Sequence, residues 1–255
     1  MSAAAGQAYA LETVGLTKEF NGFAAVRDVD LKVRRGTIHA LIGPNGAGKT
    51  TLFNLVTKFL APTAGRIVFN GADITAMKPA TVARGGLVRS FQISAVFPHL
   101  SVRDNVLVAL QRRFGAPMRF WMPESRLEAL RERADSLLDE VGLADFGAAT
   151  AVELPYGRKR ALEIATTLAL EPQLMLLDEP TAGMGSEDIG RIAALIRKAA
   201  AGRTVLMVEH NLSVVSNLSD FITVLTRGQI LAEGAYDAVS RNSEVMEAYM
   251  GTGDD

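Results

Sequence analysis

The stretch that decides the fold is Gly43-Pro44-Asn45-Gly46-Ala47-Gly48-Lys49-Thr50, which fits the pattern G-x-x-x-x-G-K-[ST]. It stands between an apolar run, Thr37–Ile42, that predicts a strand and a segment, Lys49–Leu60, that predicts a helix. Glycines allow backbone N–H groups to face phosphate oxygens, and the helix N-terminus adds its positive end. Lys49 can reach the β- and γ-phosphates, and the Thr50 hydroxyl can ligate Mg²⁺. The octapeptide therefore predicts a nucleotide-phosphate site.

Strands and helices alternate on both sides of this site. Leu11–Phe20 and Ala24–Val33 predict two antiparallel strands, because the connection between them is too short for a crossover. The later segments alternate more regularly. Further strands are predicted at Arg66–Asn70, Gln173–Asp178, Arg203–Glu209 and Phe221–Thr226, and helices at Ser186–Ala200 and Asn211–Asn217. The alternation predicts an α/β fold with a mostly parallel sheet covered on both faces.

The middle of the chain, Arg103–Ala169, contains no predicted strand. After Pro123, apolar residues recur at helical spacing and most other positions are charged. The apolar positions are Leu127, Leu130, Ala134, Leu137, Leu138 and Val141. We predict an amphipathic helix within a helical insertion at about 103–169. The chain is expected to form one domain over 9–251, with flexible termini at 1–8 and 252–255.

Composition excludes several classes of protein. The chain has 255 residues, 48% of them hydrophobic, so it can bury a sizeable core. It contains no cysteine, which excludes disulfide scaffolds, thiolate metal sites and cysteine nucleophiles. A formal net charge of −1 argues against a protein that coats nucleic acid. Neither a secretory signal nor a membrane-spanning run is expected.

Side chains that can bind Mg²⁺, activate water or contact a phosphate follow two of the predicted strands. Asp178 and Glu179 come at the end of Gln173–Asp178, where ligands of parallel sheets bind. Asp178 is predicted to hold the Mg²⁺ shell, and Glu179 to orient or deprotonate the attacking water. His210 follows the next strand, so it is expected at the same edge of the sheet, within reach of a γ-phosphate.

A second glycine-containing segment, Leu154-Pro155-Tyr156-Gly157-Arg158, precedes a helix predicted at Ala161–Leu170. A helix N-terminus is suited to an anion. Taken in order with the motifs above, this segment makes the chain resemble the ATP-binding subunit of an ABC transporter from Leu11 to Gly251. In that resemblance, Leu154–Arg158 is similar to the signature loop, which acts across a dimer.

The resemblance implies roles for individual residues. Gly43–Thr50 with Thr51 is similar to the Walker A loop, and Leu174–Asp178 is similar to the Walker B strand. The other implied roles are a catalytic carboxylate at Glu179, a switch histidine at His210, a glutamine that contacts Mg²⁺ and senses the permease at Gln92, and an adenine-stacking aromatic at Phe20.

The resemblance also implies an assembly. The expected fold is a P-loop core with an antiparallel β subdomain and a helical subdomain. Two such subunits, identical or paralogous, would close around two ATP molecules and drive integral membrane permease subunits. A periplasmic substrate-binding protein would be an indirect partner, and nucleic acid would not be one. The implied location is the cytoplasmic face of the inner membrane, peripheral through the permease.

The chain departs from the family pattern at two places. Pro155 stands where the family has a serine whose hydroxyl meets the γ-phosphate. Gly185 stands where the loop after Pro180 usually carries Asp or Asn. Both departures affect the contact between subunits, whereas the nucleotide-binding loop is complete.

The finer resemblance is to ATPases of branched-chain amino acid importers. The segments that carry it are Phe91-Gln92-Ile93, Phe97-Pro98, Tyr156-Gly157, Ala182–Gly185, the insertion at Phe114–Pro123 and the ending Glu247–Gly251. Related subunits serve urea, amides or other cargo, so these cargoes remain alternatives. Two further alternatives are a soluble ABC ATPase and the ATPase of a lipopolysaccharide-type exporter. A GTPase would carry N-K-x-D, which does not occur. The apolar loop after Gln92, with Val96 and Phe97, is predicted to dock a short permease helix.

Overall fold

The computed structural model describes residues 8–90, 96–113 and 124–250. The strands β1 to β11 span, in order, Tyr9–Phe20, Phe23–Val29, Lys32–Arg34, Ile38–Ile42, Ala64–Phe69, Ala72–Asp73, Leu87–Ser90, Leu174–Asp178, Thr204–Val208, Phe221–Thr226 and Gln229–Gly234. The helices α1 to α9 span Lys49–Val56, Pro79–Arg84, Val102–Arg113, Glu124–Glu140, Tyr156–Ala169, Ser186–Ala199, Leu212–Leu218, Tyr236–Ser240 and Ser243–Met250.

The central sheet has the strand order β11-β10-β4-β9-β8-β7. All neighbours pair in parallel except β11, which is antiparallel to β10. A separate antiparallel sheet has the order β2-β1-β5-β6, with β3 also paired to β1. The predicted α/β class with a mostly parallel sheet and an antiparallel unit is thereby confirmed.

Two hydrophobic clusters cover the two faces of the central sheet. Alternate side chains of β8 enter opposite clusters: Leu174 and Leu176 join one, and Met175 and Leu177 join the other. All four are at most 1% exposed, which explains why this strand is a continuous apolar run. The cluster with Leu174 and Leu176 also includes residues of α1 and the antiparallel sheet, whereas the cluster with Met175 and Leu177 includes residues of α3 to α7.

The predicted strand Ala24–Val33 is wrong, because the chain forms β2 and β3 with a break between them. β2 pairs with the second half of β1, and β3 pairs with the first half. The buried Thr13 hydroxyl occupies the break: it donates to the Val29 carbonyl at 2.7 Å and accepts from the Leu31 N–H at 2.8 Å. A side chain therefore replaces ladder hydrogen bonds at this point.

The predicted end of α1 at Leu60 is also wrong, since the helix ends at Val56. The Thr57 hydroxyl donates to the Phe53 carbonyl at 2.8 Å, and Lys58 adopts a left-handed conformation with φ of 65°. A left-handed residue just after the C-cap is a common way to end a helix.

Other boundaries agree closely with the predicted ones. The predicted strands at Gln173–Asp178, Arg203–Glu209 and Phe221–Thr226 appear as β8, β9 and β10 within one residue at each end. The strands β6, β7 and β11 and the helices α2, α8 and α9 were not predicted.

Between β7 and β8, the described residues form helices joined by turns and loops, with one isolated bridge between Ser101 and Thr150 and no strand. The predicted apolar face of α4 is buried at Leu130, Ala134, Leu137 and Leu138. The predicted insertion at Phe114–Pro123 lies outside the described residues. Within the described ranges, no helix is long and apolar enough to cross a bilayer.

His39, in the middle of β4, makes the folding stability depend on pH. Burial, together with the positive charge of Arg34, lowers the pKa of His39 from 6.5 to about 4. The ring is fully buried, with Nε2 2.8 Å from the Thr223 hydroxyl. Below pH 6.5 the unfolded chain therefore binds a proton that the folded chain does not bind, and stability falls as pH falls toward 4.

We expect His39 alone to lower the free energy of unfolding by roughly 2 kcal/mol between pH 6.5 and 4.5. The measurement is urea unfolding at both pH values for the natural chain and for His39→Leu. The variant should lose that part of the pH dependence. An equal pH dependence in both proteins would contradict the buried neutral state.

Candidate nucleotide-binding and hydrolysis site

The phosphate loop joins β4 to α1 and is packed between two other strands. A Cβ on Gly43 would lie 2.1 Å from the Leu225 carbonyl oxygen in β10. A Cβ on Gly48, where φ is 99°, would lie 2.4 Å from the Ala25 carbonyl oxygen in β2. Close backbone packing therefore requires these glycines, independently of the predicted approach to phosphate.

Lys49 closes the loop through its ammonium group. Nζ donates to the carbonyls of Gly43 at 2.6 Å and Pro44 at 2.8 Å. Burial lowers the pKa of Lys49, and the nearby Glu179 carboxylate partly opposes that shift. The structure therefore brings the lysine and the predicted catalytic carboxylate to the same site. Thr50 is exposed and Thr51 is half-buried at the start of α1.

The ends of β8 and β9 lie side by side, as the sequence predicts. Asp178 pairs in register with Val208, so Glu179 and His210 follow at the same edge. His210 Nε2 lies 2.5 Å from Glu179 Oε1. The two side chains are partly exposed, at 45% and 34%, so the pair remains accessible to water and to a ligand.

The turn that carries Glu179 is held from two sides. Glu179 has a left-handed backbone, with φ of 46°. Arg160, from α5, donates to the Glu179 carbonyl at 3.1 Å and to the Pro180 carbonyl at 3.3 Å. Glu209 accepts from the backbone N–H of Thr181 at 2.9 Å and from its hydroxyl at 2.7 Å. These contacts stabilise a conformation that a non-glycine residue rarely adopts.

Arg160 and Glu209 were missed as site residues, although both are charged residues at buried positions. Arg160 is 5% exposed and pairs with Glu163 at 2.5 Å. Burial raises the pKa of Glu163, and the arginine opposes the shift. The sequence signal that could have identified Arg160 is a charged residue among the apolar residues of a helix.

The predicted helix start at Ala161 is wrong, because α5 begins at Tyr156 with Pro155 as its N-cap. Proline removes no helical hydrogen bond at this position, because the N–H of an N-cap residue takes no part in the helical pattern. The N–H groups of the first turn that follow also lack partners within the helix. Tyr156 donates its hydroxyl to the Ala182 carbonyl at 3.0 Å. The predicted signature segment is therefore a helix N-terminus packed against the turn after β8.

The rest of the signature segment contacts neighbouring helices. Leu154 is buried in the core. A Cβ on Gly157 would lie 3.2 Å from the Asp188 carboxylate in α6. The guanidinium of Arg158 lies 4.0 Å from the centre of the Phe146 ring.

Phe20 lies at the end of β1, paired with Phe23 across the hairpin. The two rings are 43% and 71% exposed, and Lys18 Nζ is 5.1 Å from the centre of the Phe20 ring. Ala25 of the same hairpin contacts Gly48 of the phosphate loop. Phe20 is thus an accessible ring on the hairpin that packs on the loop, and its stacking role stays a prediction.

The predicted Mg²⁺ ligands are Thr50, Asp178 and Gln92. Gln92 lies outside the described residues. Thr50 and Asp178 both offer oxygen atoms, and Mg²⁺ typically takes one or two protein oxygens together with phosphates and water. The donor set therefore fits Mg²⁺. Asp178 Oδ2 also contacts the guanidinium of Arg89, which belongs to none of the sequence motifs described above.

Comparisons with known proteins agree with this geometry. The model of the ABC transporter family matches residues 26–182, and that of the branched-chain amino acid ATP-binding cassette transporter matches residues 229–255. The chain is 39% identical over 249 residues to the high-affinity branched-chain amino acid transport ATP-binding protein BraF of Pseudomonas aeruginosa, covering 94% of this chain and 97% of that protein. It is 34% identical to LivG of Escherichia coli K12, with the same coverage.

Solved structures show the same likeness. The ADP conformation of MJ1267, an ATP-binding cassette of an ABC transporter, superposes with a TM-score of 0.85 at 32% identity, covering 96% of this chain and 100% of that chain. The dimeric structure of MJ0796, a bacterial ABC transporter cassette, has a TM-score of 0.74 at 25% identity, covering 89% and 98%.

A phosphate loop on a parallel sheet, with Glu179 and His210 at the same edge, defines a nucleoside triphosphatase of the P-loop class. The comparisons specify which one: the chain belongs to the ABC transporter family, as an ATP-binding cassette that couples ATP hydrolysis to transport.

Proposed function

We propose that this chain is the ATPase subunit of an importer for branched-chain or related amino acids. The full-length similarity to BraF and LivG, together with the match over residues 229–255, supports this cargo class. The proposed location is the cytoplasmic face of the inner membrane, held there by permease subunits. The observation that carries the ATPase activity is the Glu179–His210 pair beside the phosphate loop.

Each site residue has a proposed task. The loop N–H groups and Lys49 would bind the phosphates of ATP. The Glu179 carboxylate would accept the proton of the attacking water, and His210 Nε2 would keep that carboxylate oriented. Thr50 and Asp178 would hold Mg²⁺, which supplies charge neutralisation on the phosphates when it is bound.

A second ATPase subunit completes the proposed site. Each ATP would be clamped between the phosphate loop of one subunit and the signature segment of the other. The first-turn N–H groups of α5 remain available for this contact, so an anion can bind there without the serine hydroxyl that Pro155 replaces. The partner subunit is identical or a paralogue.

The permease would dock on the surface formed by Phe97, Leu100 and Val152, called here the Phe97 surface. These side chains are 52%, 37% and 50% exposed. Backbone hydrogen bonds join their segments, including one from the Val152 N–H to the Pro98 carbonyl at 2.9 Å. Val96, predicted to share this surface, is 9% exposed and belongs to the core, so that part of the prediction is wrong.

A buried asparagine fixes the position of Phe97. The Asn105 side chain accepts from the Phe97 N–H at 2.7 Å and donates to the Phe97 carbonyl at 3.1 Å. The ring is therefore presented to solvent by an ordered backbone, which is the arrangement expected of an anchor for an apolar partner.

Phe97→Asp should weaken assembly with the permease and abolish amino acid uptake, because it places a charge on an apolar contact. The basal ATPase activity of the isolated subunit should stay within about threefold of the natural chain. The measurement is co-purification with co-expressed permease subunits, followed by ATP-dependent uptake of labelled leucine into proteoliposomes. Met246→Asp, at a 46% exposed residue of α9, is the matched control.

The two parts of the proposal fail in different ways. Normal assembly and uptake with Phe97→Asp would place the docking surface elsewhere. If the natural assembly hydrolysed ATP and transported urea or another solute but not leucine, only the proposed cargo would be wrong.

A further inference from the structure

Arg89 is a nearly buried cation beside one of the proposed Mg²⁺ ligands. It lies in β7 at the edge of the central sheet, and β7 pairs in parallel with β8. Its guanidinium contacts Asp178 Oδ2. The two side chains are 15% and 12% exposed, so this ion pair is shielded far more than a surface pair.

The guanidinium is fixed on more than one side. One nitrogen pairs with Asp178, and the other donates to Asn54 Oδ1 at 2.8 Å. The guanidinium carbon lies 5.6 Å from the centre of the Phe53 ring and 5.9 Å from that of Phe59. A planar fork held by two acceptors and two rings has little freedom to rotate.

Asn54 connects this network to the phosphate-binding helix. It lies four residues after Thr50 in α1, so the two side chains share one face of the helix. Arg89 therefore joins the helix that carries the Thr50 hydroxyl to the strand end that carries the Asp178 carboxylate. These two groups are the described oxygen donors of the proposed Mg²⁺ site.

We propose that Arg89 is a positioning residue for Mg²⁺: it orients the Asp178 carboxylate and sets its distance from α1. This inference rests on the proposed function. Mg²⁺ demands nearly ideal octahedral geometry, so a freely rotating carboxylate holds it less well. Loss of a group that orients a metal ligand typically lowers metal affinity tenfold to a hundredfold.

A role for Arg89 as a competitor of Mg²⁺ predicts that its removal changes Mg²⁺ binding in the opposite direction. If Arg89 acted as a stand-in cation that competes with Mg²⁺ for Asp178, its removal would strengthen Mg²⁺ binding. The two roles are therefore separated by the direction in which the Mg²⁺ requirement moves.

The test is Arg89→Met, which keeps an unbranched apolar stem between the two rings and removes the fork. The binding of a ribose-labelled fluorescent ATP is titrated with Mg²⁺ on the full chain. We expect the half-saturating Mg²⁺ concentration to rise about tenfold, while affinity for the nucleotide in EDTA stays within about twofold. Arg103→Met, which removes the exposed ion pair with Asp135, is the matched control and should change neither value.

A second variant covers the case in which Arg89→Met does not fold. Asn54→Leu removes one partner of the fork and leaves the ion pair, and it should raise the Mg²⁺ requirement about threefold. An unchanged or lowered requirement in a folded variant would overturn the proposal. Failure of the proposed function would look different: the natural chain would bind no ATP with or without Mg²⁺.

Discussion

Lys49→Ala is expected to weaken ATP binding by at least about a hundredfold while the protein stays folded. The Lys49 ammonium now donates to two loop carbonyls, at 2.6 and 2.8 Å, and ATP phosphates would replace them as acceptors. Two charge-assisted hydrogen bonds of about 1.5–3 kcal/mol each account for a loss of this size. Lys49 belongs to neither hydrophobic cluster, so the protein should stay folded without its side chain.

The measurement is ATP affinity by equilibrium binding, with circular dichroism on the same sample. Lys58→Ala is the matched control, because Lys58 also donates to a backbone carbonyl, that of Thr75 at 2.6 Å, near the other end of α1. The control should bind ATP normally. If the folded Lys49→Ala protein bound ATP with the natural affinity, the loop would not be part of the ATP-binding site.

Glu179→Gln is expected to bind ATP with Mg²⁺ but to hydrolyse it at least about a hundredfold more slowly. An amide cannot accept a proton from water, and loss of a general base typically costs a factor of 10² to 10⁴. The substitution keeps the shape of the side chain, and the amide oxygen can still accept from His210 Nε2, which lies 2.5 Å from the natural carboxylate. Binding should therefore survive while the chemistry fails.

Unhydrolysed ATP should then hold two subunits together, which static light scattering detects as a doubled mass in the presence of ATP and Mg²⁺. Glu187→Gln, at an exposed carboxylate paired with Arg191, is the control and should hydrolyse ATP at the natural rate. Turnover of Glu179→Gln near that of the natural chain would mean that another group activates the water.

The parts of the site that were predictable are those whose signal is local in the chain. The octapeptide from Gly43 to Thr50 carries its own spacing and its own strand–helix context. The apolar run before Asp178 reads as a buried strand because alternate side chains enter both hydrophobic clusters. The neighbouring positions of Glu179 and His210 follow from the rule that parallel strands end at one edge of a sheet.

The parts that were not predictable depend on which charges are buried. Nothing adjacent to Arg89 in the chain indicates that its fork lies between Asp178 and Asn54, because these residues come from three separate elements. The start of α5 was misplaced because proline and glycine usually interrupt helices. At an N-cap and in a first turn they do not, and packing against Ala182 and Asp188 decides the matter.

The sequence by itself thus determined the phosphate loop, the α/β class and the family, since each rests on contiguous residues or on strand order. The tertiary structure alone decided how the turn at Glu179–Thr181 is held. Arg160 and Glu209 reach Glu179–Thr181 from a helix and from a neighbouring strand end. Such contacts depend on how segments that are distant in the chain pack together. The residue pattern within one segment does not indicate which other segments will contact it.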